Sequence, residues 1–466
     1  MTFIFYDTET TGTDTAFDQI VQFGAIKTDD DFNEQDRFEI RCRLAPHIVP
    51  APGALKVTKV TPSMLTDPSL PSHFEAMQLI HAKMKEWSPA IFLGYNSISF
   101  DENLMRQAFY QTLQPIYLTN TGGNARGDVM RMLHATNIFV PNVIAVPLKD
   151  DGKPTFKLDT LAPANGFAHK DAHEAIADVE ATIYMSQLMR DRVPKIWQNM
   201  IDHASKQNTI RFIEENDVFA MADVYFGRSY SWLVTPCGSN PGYNAENAAF
   251  DLSFSPDDYL DLSVDELVGV LNGKTKPIRV IRANSQPILM PAELALEQTS
   301  GAELSADEIR RRADQIRSNE DFRARVGQAL ADRYGEEEPS PYVEKKIYDD
   351  FPPKSDEVIM SKFQIADWQG RLELAKQLND PRLRDLARRQ IYFEKPELLT
   401  DAVRQDLDDW LTDRLTTEDP DVPWRTIPDA LKEVEELLGT TEGEEHRLMV
   451  STKEFILEMA DKYGAK

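Results

Sequence analysis

Asp7 and Glu9 stand two residues apart at the end of an apolar run, Thr2-Phe3-Ile4-Phe5-Tyr6, that reads as a buried strand. Side chains two apart on a strand share a face, so both carboxylates can reach one cation. Thr10-Thr11-Gly12 follows as a turn through which backbone can approach a ligand closely. The pair equally fits an ordinary polar strand end. A second acidic position, Asp101, closes the loop Asn96-Ser97-Ile98-Ser99-Phe100 between a strand at Ala90–Tyr95 and the next helix. It reads either as a ligand or as that helix's N-cap, with Glu102 adding charge to the first turn. A third element, His173-Glu174-Ala175-Ile176-Ala177-Asp178, spaces a histidine and an aspartate five apart. Inside one helix they would point about 140° apart. They converge only if His173 precedes the helix and Asp178 projects from its body. The alternative is a surface histidine beside a salt-bridging aspartate.

Taken together, four carboxylates and one imidazole stand at a strand end, a loop end and a helix within one domain. Hard oxygen ligands without cysteine point to Mg²⁺ or Mn²⁺ rather than zinc. Two such ions clamp the attacking and departing oxygens of an in-line phosphoryl displacement. Packed carboxylates otherwise repel one another, and cations relieve that.

The elements that must position these groups alternate over the first 190 residues. Strands are expected at Thr2–Tyr6, Ile20–Ile26, Phe38–Leu44 and Ala90–Tyr95, and helices at Ser72–Trp87, through Leu104, Ala108 and Phe109, and at Ala172–Met189. That alternation indicates a layered α/β domain. From Phe219 to Leu262 the chain turns strand- and turn-rich, with further short strands at Arg279–Ile281 and Pro287–Met290. Pro339-Ser340-Pro341 and Pro352-Pro353 bracket a boundary, and beyond about residue 355 the periodicity is helical.

Length and composition agree. A chain of 466 residues, 41 % hydrophobic and 27 % charged, is long enough for several cores and too apolar to be disordered. Cys42 and Cys237 are its only cysteines, which excludes a disulfide framework or a cysteine zinc site. No apolar run reaches about 18 residues, so no spanning helix or membrane role is expected. Met1–Asp7 has no basic flank, so a cytoplasmic protein is expected. The net charge of −26 argues against sequence-independent phosphate binding by a basic surface. A nucleic-acid ligand would need a local cationic track. Arg382, Arg384, Arg388 and Arg389 before Tyr392-Phe393 offer one, because arginine beside aromatics suits a single strand. Arg310–Arg325 is interleaved with acids and reads as a solvated helix. Trp232 reads as a β-domain core residue or a stacking platform.

Asp7-x-Glu9-Thr10-x-Gly12, Asn96-x-x-x-Phe100-Asp101 and His173-x-x-x-x-Asp178 resemble the three motifs of the DEDDh (DnaQ-like) 3′–5′ exonucleases. Phe5-Tyr6-Asp7, Gly94-Tyr95-Asn96, Ala164-Asn165-Gly166 and Ala175-Ile176-Ala177-Asp178 bring the chain nearer to that family's single-strand-specific bacterial exodeoxyribonucleases. Gly227-Arg228-x-x-Ser231-Trp232 and Ile347-Tyr348-x-x-Phe351 fit more loosely. The resemblance implies a ribonuclease H-like α/β exonuclease core at 1–192, an SH3-like β-rich domain with flanking helices at 195–346, and an all-α domain at 350–466. It implies a nuclease of DNA repair that releases 5′-mononucleotides from the 3′ end of single-stranded DNA using two Mg²⁺ ions, for which Mn²⁺ substitutes. Asp7, Glu9 and Asp178 would hold the metal, Asp101 would support it, and His173 would be general base. Glu9, Thr10, Gly12 and Asn96 would seat the terminal nucleotide, with Trp232, Arg388 and Arg389 along the strand. A monomer that binds the acidic C-terminal tail of single-stranded DNA-binding protein is implied as well. The rival expectations are an exoribonuclease or proofreading exonuclease of the same family, and a catalytically silent scaffold. No carboxylate or histidine of the motifs is missing, as a silent scaffold would require.

Overall fold

The computed structural model describes residues 1–168, 174–296, 299–335 and 338–465. The first sheet is built from β1 (Phe3–Thr10), β2 (Ile20–Thr28), β3 (Glu34–Arg41), β4 (Ile91–Gly94) and β5 (Ala125–Asp128), in the order 3-2-1-4-5. β2 runs antiparallel to both neighbours, and β4 and β5 continue parallel to β1. This is the layered α/β core expected from the alternation, in the ribonuclease H-like form that the resemblance implies.

Alternation along β1 sorts its side chains to two cores. Phe3 and Phe5 pack with the helices Val129–Phe139 and Ala175–Arg192. Ile4 and Tyr6 pack with the helices His73–Trp87 and Asp101–Gln111 on the other face. Ser72 starts the first of these as a capping box with Glu75. The third strand lies earlier than the Phe38–Leu44 run suggested. β3 is a half-exposed edge carrying Glu34, Asp36, Arg37, Glu39 and Arg41, and charge on an edge strand blocks stray pairing while hiding the apolar signal.

The second sheet is wholly antiparallel: β6 (Phe219–Tyr225), β7 (Arg228–Ser239), β8 (Glu246–Asp251), β9 (Ile278–Arg282) and β10 (Ile288–Pro291), in the order 10-6-7-8-9. The helices Val264–Asn272, Ala306–Arg317 and Glu320–Asp332 cover it. Gln286 docks this unit on the first sheet, accepting from the Asp128 amide at 2.7 Å and donating to the Met200 carbonyl at 2.9 Å. From Lys354 to Tyr463 the described elements are helices, apart from one short 3₁₀ turn. Those helices close on the first unit as well. Phe17, in the loop after β1, enters a socket of Tyr342 and Trp424, and the buried Glu344 pairs with Arg389 and Arg414. Among the described residues no helix is long and apolar enough to cross a membrane.

Candidate active site

Asp7 and Glu9 leave the same face of β1, and the helix Ala175–Arg192 lies on that face. Asp178 is the fourth residue of this helix. Ligand oxygens of Asp7, Glu9 and Asp178 fall within 4.8 Å of one another. The close approach depends on Gly24, which pairs with Asp7 across β1 and β2. A Cβ there would stand 2.9 Å from the Ile176 nitrogen and 3.0 Å from the Ala175 carbonyl carbon, so any side chain pushes the helix start outward. Gly24→Ala should therefore keep the fold and lower turnover by about a hundredfold, the scale of a ~1 Å misplacement. Steady-state rates beside a far-UV circular dichroism spectrum check it, and an undiminished rate would reject the account.

Asp101 arrives from the opposite side of the sheet. It is the first residue of its helix rather than the N-cap, which is Phe100. Its buried carboxylate accepts the Thr8 hydroxyl. The preceding loop is tied down by Asp128, which accepts from the amides of Asn96 at 3.0 Å, Ile98 at 3.3 Å and Met130 at 3.0 Å. Asn96 is exposed with φ of 58°, and its side-chain oxygen accepts from Ser99. Thr10 is buried and donates to the Gly12 carbonyl at 2.7 Å. A Cβ on Gly12 would strike the Asp18 carboxylate at 2.3 Å, and Asp18 in turn holds Thr11 and the Asp14 amide. His173 lies outside the described residues.

The electrostatics match a site awaiting a counter-cation. Burial first, then Asp101, Asp178 and Glu9, push Asp7 well above the usual carboxylate range. Burial, Asp178, Asp101 and Glu174 raise Glu9 to about 9, with Arg41 opposing them. Burial also lifts Asp101 to about 7, partly offset by the Thr8 hydroxyl. Next door, Glu102 is equally buried, yet Arg126 and Arg106 hold it below its ordinary value. Carboxylates that repel one another and offer only oxygen donors fit a hard divalent cation.

The expected strand-binding residues fare differently. Trp232 is buried with the Arg279 guanidinium 3.5 Å from its ring centre, so it is no open stacking face. Arg389 is spent on Glu344 and Asp385 and lies over Trp410. Arg388 is half-exposed and paired with Asp385 at 3.1 Å. The helix Ala306–Arg317 is ion-paired, as through Glu308 with Arg311 and Arg312. Cations do gather elsewhere. Arg106, Arg126, Arg131, Arg282 and Arg333 line a cavity of about 890 Å³ together with Asp223 and Glu246, bordering Ile98, Ser99 and Asn103 in the loop and helix around Asp101; Arg106 and Arg126 pair with Glu102, and Arg333 with Glu246. Sequence reasoning missed this group and Asp128. Arg126-Gly127-Asp128 before an apolar helix was the available signal.

Comparison with known proteins yields four matches. A family model described as exonuclease (RNase T type) matches residues 4–185. The chain is 28 % identical over 410 residues to exodeoxyribonuclease I of Haemophilus influenzae, spanning 82 % of this chain and 84 % of that one. It is 32 % identical over 306 residues to exodeoxyribonuclease I of Escherichia coli, spanning 62 % of this chain and 64 % of the relative's length. A solved structure of E. coli exonuclease I with a dT13 oligonucleotide superposes with a TM-score of 0.82 at 25 % identity, over 99 % of each chain.

Proposed function

We propose, from the match of residues 4–185 to the exonuclease family model, that the whole chain is a 3′–5′ exodeoxyribonuclease, specific for single strands and releasing 5′-mononucleotides. The observation that carries it is the meeting of Asp7, Glu9 and Asp178 from two elements 170 residues apart in sequence. In this reading the three carboxylates hold the divalent site, and Asp101, fixed by Thr8, supports it. His173 takes the proton of the attacking water, a task that suits an imidazole near neutral pH. Thr10, Gly12 and Asn96 seat the terminal nucleotide. Two Mg²⁺ ions, replaceable by Mn²⁺, would when bound there supply charge stabilisation for the phosphoryl displacement.

The chain divides for this task into a nuclease domain at 1–192, a β-rich SH3-like domain at 195–346 and a helical domain at 350–466. In the cavity beside Asp101, Arg131 and Arg282 donate to a carbonyl and to a hydroxyl and give the strand local cations within an acidic protein. A cytoplasmic monomer acting in DNA repair, recruited by the acidic tail of single-stranded DNA-binding protein, completes the proposal on resemblance alone.

The test is digestion of single-stranded DNA, double-stranded DNA and RNA of one sequence, each labelled at the 3′ end. The expected products are mononucleotides from the single DNA strand, with a blocked 3′ end resisting. Equal attack on duplex ends, or a preference for RNA, would overturn the assignment, since the 2′-hydroxyl separates the two nucleic acids.

A further inference from the structure

The β6–β7 hairpin turns on Phe226-Gly227, with Tyr225 paired to Arg228 across it. Both turn residues have positive φ, 51° at Phe226 and 73° at Gly227. Such two-residue turns favour Asn-Gly or Gly-Gly, because left-handed φ crowds a Cβ. Phenylalanine is strained there, and its side chain is 97 % exposed, so it contributes neither a relaxed turn nor core burial. A strained and exposed residue at a tip points to use rather than stability.

Two more rings stand on the strands that flank it. Tyr225 and Tyr230 are partly exposed with centroids 6.0 Å apart. Tyr230 lies 6.1 Å from Trp232 with ring planes 1° apart. Arg279 covers Trp232, so the row is closed at its inner end and open at the hairpin tip. Tyr225 also lines the 890 Å³ cavity shared with Ile98, Ser99, Arg106 and Arg131, which joins the row to the surroundings of Asp101.

We propose that Tyr225, Phe226 and Tyr230 form a base-stacking platform for the unpaired strand on its way to the catalytic carboxylates. This rests on the single-strand reading above. Every base has a π-face, so stacking grips without reading sequence. In a chain of net charge −26, it supplies attraction that long-range phosphate binding would not.

The experiment measures binding, in the presence of a chelator, of two strands of equal length, one of thymidines and one of abasic sites. Phe226→Ala and Tyr230→Ala should weaken the thymidine strand about fivefold to a hundredfold, leave the abasic strand at its wild-type affinity, and Phe226→Trp should restore binding. Unchanged affinity for thymidines, or an equal loss on both strands as for a surface that docks protein, overturns the platform and leaves the nuclease reading standing. A wild-type chain that neither binds nor degrades the thymidine strand overturns both.

Discussion

Asp178→Ala is expected to lower turnover of a 3′-labelled single strand by about a thousandfold or more, because it removes one of three charges that hold the divalent site. The loss should appear in the chemical step under single-turnover conditions. Asp178→Asn separates charge from shape. It keeps the side chain's size and part of its hydrogen-bonding capacity, yet takes away a negative neighbour that raises both Asp7 and Glu9. The Asn variant should keep the fold while remaining crippled in turnover. Function lost without stability lost marks a cluster kept for its chemistry. Turnover like the wild type's would dismiss Asp178 as a ligand, and a collapsed melting temperature in the Asn variant would make it a structural residue instead.

The site was legible where its chemistry is local. Two acids at period two after an apolar strand declare a shared face, and the angular mismatch between positions 173 and 178 allowed the two to converge only with the histidine ahead of the helix. The observed helix starts at Ala175 and carries Asp178 in its body. The central strands β1, β2 and β4 were legible because they are buried and apolar on both faces. What escaped was non-local or polar. β5 reads Ala-Arg-Gly-Asp, four residues without an apolar pattern. Asp128 organises the Asn96 loop across 32 residues of sequence. Arg389 looked like a free cation because Glu344, which neutralises it, stands 45 residues away. Trp232 and Tyr230 lie on one alternating strand, and only burial shows which ring is open.

Removing the divalent cation should abolish turnover, and its restoration should grow tighter as pH rises from about 6 to about 9. Glu9, pushed up to about 9, holds a proton at neutral pH when no cation is bound, and Asp101, at about 7, holds one about half the time. A cation must displace those protons, so binding releases them, and affinity climbs up to about tenfold per pH unit for each proton displaced. The same shifts fix the sign of the stability effect. A carboxyl whose folded pKa is raised keeps a proton that the unfolded chain has already lost. The metal-free fold is thus unpenalised below about 4.5, Glu9's ordinary value, and loses stability as pH climbs towards about 9. Calorimetric titration with Mn²⁺ in two buffers of unlike ionisation enthalpy reads the released protons directly. Glu9→Gln isolates the residue, because glutamine has no proton to displace: its metal-free melting temperature should fall less between about pH 5 and 9, and its remaining cation affinity should vary less with pH. Proton-neutral binding in the wild type, with melting curves of wild type and variant falling in parallel, would mean that the three carboxylates are not a cation site.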